Sequence, residues 1–227
     1  MITKKEPKID WRRVKADLLK RERLTGAKTQ KALLTCVYEC LAKAKSLSSP
    51  KIVFEKKRIL SISSASIELD GDTALFSETL ASFMKGATYI YLFLVTLGKE
   101  VETAATKAME KGDYLRGYIL DSIGSLAAES LAEEFEKDLR KRYASEDKSV
   151  SMRFSPGYCD WLMEEQFKLK EALDFSKAGV RLTEGCMMQP KKSITAIIGI
   201  GPKGLFSKAK SQCAICNDKD CDYRRPG

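Results

Sequence analysis

The chain has 227 residues, 44% of them hydrophobic, enough to bury a substantial core in a single domain. Its 40 Lys and Arg against 31 Asp and Glu give a formal charge of +9, and it contains no histidine. That absence excludes a Ser-His-Asp triad, a histidine zinc site, a histidine general base and any imidazole ligand offered to a metal by this chain.

Asp10 to Arg23 reads as a short basic helix, with Trp11, Val14, Leu18 and Leu19 on one side and Gly26 as its breaker. Thr29 to Lys45 reads as a second helix through Leu33, Leu34, Val37, Cys40 and Leu41. Cys36 and Cys40 lie one turn apart there and are read as small packing residues rather than as a metal pair. After the loop Ser46 to Pro50, Lys51 to Ile62 is expected as strand, with Ile67 and Leu69 in another short one before an Asp70-Gly71-Asp72 turn. Phe76 to Phe83 reads as helix ended at Lys85-Gly86, and the continuous apolar run Tyr89 to Val95 suits a buried strand. Val101 to Met109 is an amphipathic helix. Asp113 then caps a much longer one reaching about Arg142, with Leu115, Ile119, Ile123, Leu126, Leu131, Phe135 and Leu139 on a drifting apolar stripe. Its middle, around Gly124, Ala127, Ala128 and Ser130, is slim enough for another element or a ligand to approach. Trp161 to Asp174 reads as helix and Ser193 to Ile200 as a core strand. No internal repeat stands out.

Two segments carry the chemistry: RFSPGYCDW from Arg153, and GVRLTEGCMMQPKKSITAIIGIG from Gly179. Arg153 offers a permanently charged fork that fits a carboxylate bidentately. Pro156 fixes its own φ, Gly157 removes a side chain that would hold a ligand off the backbone, and Tyr158 adds a ring face with a polar end. Glu184 supplies the negative charge that an ammonium or sulfonium group wants. The set suits a small zwitterion; taken singly, each piece reads more readily as a β-turn, a surface arginine or a helix cap.

RFSPGY resembles the Arg-x-x-x-Gly-Tyr signature of the activation domain of cobalamin-dependent methionine synthase. LTEGCMMQPKKSITA is similar to the Leu-Thr-Glu segment of that domain, and YIYLFLVTLG and DSIGSLAAESLAEEFEKDLRKR are similar to its central strand and long helix. The resemblance runs over residues 50 to 206, leaving a basic helical part at 1–49 and a Cys-rich part at 207–227. It implies an α+β fold: a mostly antiparallel twisted sheet packed with long helices. It implies S-adenosylmethionine as ligand, with Arg153, Pro156, Gly157 and Tyr158 at the site, and it adds Glu129, which lies in the slim stretch of the long helix. Where the family carries paired tyrosines after its last strand, this chain has Phe206 and Ser207, so a ring is kept and a phenol hydroxyl lost.

The activity implied is reactivation: S-adenosylmethionine supports the reductive methylation of oxidised cob(II)alamin, with electrons from a flavodoxin- or ferredoxin-type donor. The cobalamin would be supplied by a separate corrinoid methyltransferase protein, because the chain has no segment resembling a cobalamin-binding or substrate module. No catalytic nucleophile or base is required of it; the work is positioning.

The tail CAICNDKDCDYRRPG places Cys213, Cys216 and Cys221 in CxxC spacing followed by a third cysteine, a partial metal site for zinc or an iron–sulfur cluster. Cys159 and Cys186 are the candidates for a fourth thiolate; the alternative is a reduced thiol tail. Seven cysteines, an odd number without disulfide-framework spacing, suggest reduced thiols and a cytoplasmic setting. No apolar run reaches bilayer length, and MITKKEPKIDWRR has no apolar core after its lysines, so neither a membrane span nor a secretory signal is expected. The basic charge permits two other readings: a metal-stapled nucleic-acid-binding adaptor, disfavoured because only Trp11 accompanies the first basic cluster, and a module that docks on a corrinoid protein without binding S-adenosylmethionine.

Overall fold

The computed structural model describes residues 3–5, 7–22, 31–206, 212–217 and 219–221. In chain order the elements are β1 (Thr3–Lys5), α1 (Trp11–Arg21), α2 (Lys31–Leu47), β2 (Lys51–Ile62), β3 (Ser66–Leu69), β4 (Thr73–Phe76), α3 (Glu78–Met84), β5 (Tyr89–Thr96), α4 (Glu100–Glu110), α5 (Tyr114–Ala144), β6 (Lys148–Phe154), α6 (Gln166–Ala172), β7 (Arg181–Leu182), β8 (Met188–Gln189), β9 (Ser193–Pro202) and the single turn α7 (Gln212–Ile215). The large sheet has the order β4-β3-β2-β5-β9-β6, with β1 beside β2 and every pairing antiparallel; β7 and β8 form a separate hairpin. The α+β expectation holds.

The sheet is covered on both faces, which explains why β5 is apolar throughout rather than alternating. Tyr91, Phe93 and Val95 point to one core, shared with Val14 and Leu18 of α1, Val37 of α2, Val101 of α4 and the stripe of α5. Ile90, Leu92 and Leu94 point to the other, with Leu80 and Met84 of α3, Leu169 of α6, Trp161 and Phe175. In α5 the residues Ile119, Ile123, Leu131, Phe135 and Leu139 are buried as expected, whereas Leu115 in the first turn is 51% exposed. Asp113 caps that helix through the Arg116 N–H, and Asp10 caps α1 through the N–H groups of Arg12 and Arg13, all at 3.1 Å.

The slim middle of α5 serves a lysine. The Lys192 stem lies 3.1 Å from where a Cβ on Gly124 would sit. Its Nζ ends on Asp121 at 2.7 Å and Ser125 at 3.0 Å. A long side chain thus buries its methylenes against the small residues while its charge stays paired.

Two expectations need adjusting, and one strand carries no clear sequence signal. Phe76 is taken by the β3–β4 hairpin, so the next helix starts at Glu78, with Ser77 as its N-cap accepting from Leu80 N at 2.9 Å. Trp161 to Asp174 is not one helix. Trp161 is buried ahead of a 3-10 turn at Met163–Glu165, and α6 ends where the chain extends at Leu173. Finally, Lys148–Phe154 is an edge strand, although its mixed residues show no clean alternation.

Candidate functional site

β6 is bulged. Val150 pairs with Ile200 and Arg153 with Ile198, leaving an extra residue between them. The freed backbone is held by Arg140, whose guanidinium donates to Val150 O at 2.8 Å and Ser151 O at 3.1 Å, while the Ser151 hydroxyl accepts from Gly199 N at 2.8 Å. Such a bulge re-aims the side chains that follow it. Arg153 consequently turns toward the helix layer, and Phe154 toward the opposite core.

Arg153 Nη2 donates to Glu129 Oε2 on α5. Its Nη1 is buried and has no hydrogen-bond partner among the described residues. A buried, unpaired guanidinium nitrogen costs on the order of 1–3 kcal/mol, and an incoming carboxylate would recover it. Beside it lies a cavity of about 370 Å³ lined by Arg13, Glu133, Lys137, Met152, Arg153 and Gln212, among others, a size at the small end of ligand pockets. Arg13 of α1 grips Glu133 bidentately, at 2.6 and 3.0 Å. Burial pushes the Glu133 carboxyl up; the facing Arg13 and Arg153 guanidinium groups pull it back down, and Glu129 adds to the rise. The site therefore already holds acid and base in close opposition, with one cationic nitrogen uncommitted.

The Pro-Gly-Tyr segment is a turn closed by Tyr158 N to Ser155 O at 3.2 Å, with Pro156 buried and Gly157 at φ +91°. A Cβ on Gly157 would sit 2.6 Å from Met163 Cε, so that space is taken by Met163 rather than left open for a ligand. Tyr158 is 47% exposed, and Leu162 and Met163 just after it are exposed too. Asp160 fastens this loop to α3: its carboxylate accepts from the Ser77 hydroxyl at 2.8 Å, Glu78 N at 2.6 Å and Thr79 N at 3.3 Å. Burial pushes the Asp160 carboxyl up, but the hydrogen bonds from Thr79 and Ser77 outweigh it and hold it below the usual range.

Arg153 and Glu129 are therefore brought together, with Pro156–Tyr158 following directly in the chain. Glu184 is exposed in the turn between β7 and β8, and among the described residues no hydrogen bond or ion pair joins it to Arg153 or Glu129. Phe206 lies in the other core, its ring 5.4 Å from Phe83, which in turn stands 5.1 Å from Phe154. It lines a separate cavity of about 590 Å³ with Phe83, Leu205 and Ile215. The turn α7 stands between the two cavities, Gln212 lining one and Ile215 the other. Gln212 Nε2 donates to Arg153 O at 2.6 Å.

In the tail, Cys213, Cys216 and Cys221 form no disulfide, and the Cys159 thiol meets Gln212 O of α7 at 3.9 Å. Burial, then Cys216, pushes the Cys159 thiol up to about 12. Among the described residues no three Cys, His, Asp or Glu side chains already stand in a group able to hold a metal ion. On α2, burial followed by Cys36 likewise lifts the Cys40 thiol to about 12, as suits a packing residue. Nothing in the sequence singles out Arg13, Glu133 or Gln212. Their cue is tertiary: α1 packs on α5, which carries Glu133, while Gln212 of α7 bonds the end of β6, so that all three line one cavity.

No curated protein matches the chain. One solved structure with a matching fold is described as the MetH reactivation domain bound to AdoHcy. It superposes with a TM-score of 0.67 at 18% sequence identity, over 93% of this chain and 80% of that one. The family model for the vitamin B12 dependent methionine synthase activation domain matches residues 73–225. The match starts later than the sequence resemblance suggested and runs on through the cysteine tail. The chain belongs to the family of vitamin B12-dependent methionine synthase activation domains.

Proposed function

We propose that this chain binds S-adenosylmethionine beside Arg153 and supports the reactivation of cob(II)alamin carried by a separate corrinoid protein, such as a methionine synthase. Family membership supports the reactivation role, and the matched reactivation domain is one bound to AdoHcy, the demethylated form of that ligand. The observation that carries the ligand assignment is the uncommitted Arg153 Nη1 at the edge of a 370 Å³ cavity. Bound there, S-adenosylmethionine supplies a methyl group whose transfer makes the partner's reduction effectively irreversible.

The chain's own residues bind and orient. Arg153 takes the carboxylate of the methionine end, and Glu129, already paired to it, fixes the fork and offers negative charge to the neighbouring ammonium. Pro156 and Gly157 shape the turn that presents Tyr158 outward. With Leu162 and Met163, Tyr158 forms an apolar face on which the corrinoid protein docks. Phe206 floors the neighbouring cleft on the far side of α7. Glu184, in its exposed turn, acts on the ligand only through the field of its charge. A flavodoxin- or ferredoxin-type donor is the expected electron source, and the +9 charge suits an acidic one. Seven cysteines outside any disulfide favour a cytoplasmic setting, and among the described residues no helix is long and apolar enough to cross a membrane.

The test is reconstitution. Cob(II)alamin-loaded methionine synthase lacking its own activation domain is mixed with this protein, S-adenosylmethionine and a chemical reductant, and the cobalamin spectrum is followed. Conversion to the methylated form that requires this chain and S-adenosylmethionine together bears the reading out. Conversion equally fast without either one overturns it.

A further inference from the structure

We propose that Cys159, Cys213, Cys216 and Cys221 form one four-thiolate metal centre that clasps the C-terminal tail to the loop carrying Pro156–Tyr158. The four come from two segments more than fifty residues apart, |i−j| being 53 between Cys159 and Gln212. Cys159 has φ +56°, the left-handed region that residues with side chains seldom adopt. In that conformation its Sγ lies 3.9 Å from Gln212 O, the same carbonyl that accepts from Cys216 N at 3.0 Å. Cys213 directly follows Gln212, the residue that Cys159 touches. Cys213 lies within the single turn α7 and Cys216 directly follows it, in the CxxC spacing of a knuckle that presents two thiolates to one metal or cluster. Cys221, half-buried, follows after a short loop.

The other candidate for the fourth position, Cys186, is buried in the β7–β8 turn, whereas Cys159 is the cysteine whose thiol bonds to α7. With a tetrahedral Zn–S length of about 2.3 Å, neighbouring thiolates stand roughly 3.8 Å apart, close to a thiol–thiol hydrogen bond. Among the described residues no three such side chains stand in a coordinating group, so the centre requires α7 and Cys221 to draw in around Cys159. A soft cation removes the thiol protons as it binds. The shared chemistry is four-thiolate ligation of a soft metal, as a single zinc ion or as a cubane iron–sulfur cluster. Through the hydrogen bond from Gln212 to Arg153 O, closure of the centre fixes the backbone beneath Arg153. The assignment does not depend on S-adenosylmethionine binding.

The full chain, purified without oxygen, is analysed for zinc, iron and acid-labile sulfide, and for visible charge-transfer absorbance. The expected result is about one zinc, or about four iron with four sulfide, per chain. Cys159→Ser should lower metal affinity at least about tenfold, while Cys36→Ser retains full loading; far-UV circular dichroism checks that both variants are folded. Zinc without absorbance identifies the mononuclear form, and iron with sulfide and absorbance the cluster. Three results overturn the proposal: no metal bound even after addition of zinc or of iron and sulfide, a folded Cys159→Ser chain with unchanged metal content, or a Cys159–Cys216 disulfide in the metal's place.

Discussion

Arg153 and Glu129, 24 residues apart in sequence, meet across the α5–β6 layer with one guanidinium nitrogen paired and the other buried and unspent. The pair is asymmetric in exposure: the Arg153 side chain is 20% exposed and that of Glu129 51%. A half-exposed carboxylate contributes less than about 1 kcal/mol to folding through such a pair. Glu129→Gln should therefore leave the urea midpoint nearly unchanged, yet weaken S-adenosylmethionine binding by about tenfold, roughly 1.4 kcal/mol, by freeing the fork. A large stability loss with unaltered binding would show that Glu129 is structural.

Asp160 ties the Tyr158 loop to the first turn of α3, and its removal has a pH signature. Its carboxyl is held below the usual value by hydrogen bonds that outweigh burial. The stability it contributes is fully present above its unfolded pKa, about 3.9, and is lost as pH falls through the lower folded value. Asp160→Ala should cost on the order of 1 kcal/mol at neutral pH, a cap's worth, and the gap from the parent should close as pH falls below the ordinary carboxylate range. Urea unfolding at several pH values reads this directly; a gap that widens on acidification contradicts the assignment.

Gly157 is needed for its backbone, at φ +91°, and for the room it leaves Met163. Gly157→Ala should destabilise by about 1–2 kcal/mol. Adding Met163→Ala should not restore stability, because the clash with a flexible thioether tip is the lesser part and the left-handed φ remains. Full recovery in the double variant, measured by chemical denaturation, would reverse that ranking.

Phe206→Tyr tests whether the family's missing hydroxyl has a place here. The Phe206 ring is 8% exposed, with its Cζ 3.1 Å from where a Cβ on Gly199 would sit. A hydroxyl added there is buried without a partner and should cost about 1–3 kcal/mol. A thermal melt at or above that of the parent would mean the ring swings out to the cavity.

Much of the fold can be read directly from the chain, for identifiable reasons. Asp10 and Asp113 announce helix starts because a short acceptor there satisfies free N–H groups, and Tyr89–Thr96 announces a central strand because both faces are covered. β6 is hidden because a bulge breaks its alternation, and the run from Trp161 because Trp161 Nε1 pairs with the buried Glu165 at 3.3 Å instead of propagating a helix. At the site, Arg153, Glu129 and the Pro-Gly-Tyr turn follow from residue chemistry and resemblance. Arg13, Glu133 and Gln212 do not, since each reaches the cavity from an element whose docking is set by tertiary packing. Gly124 had suggested ligand access, and it instead admits the Lys192 stem.

The most direct measurement is calorimetric titration of S-adenosylmethionine, and separately of S-adenosylhomocysteine, into the parent protein and into Arg153→Ala. Saturable binding by the parent is predicted, weakened at least about thirtyfold, roughly 2 kcal/mol, in a variant whose circular dichroism is unchanged. No detectable binding by a folded parent, or equal affinity in the folded variant, would contradict an Arg153-anchored site.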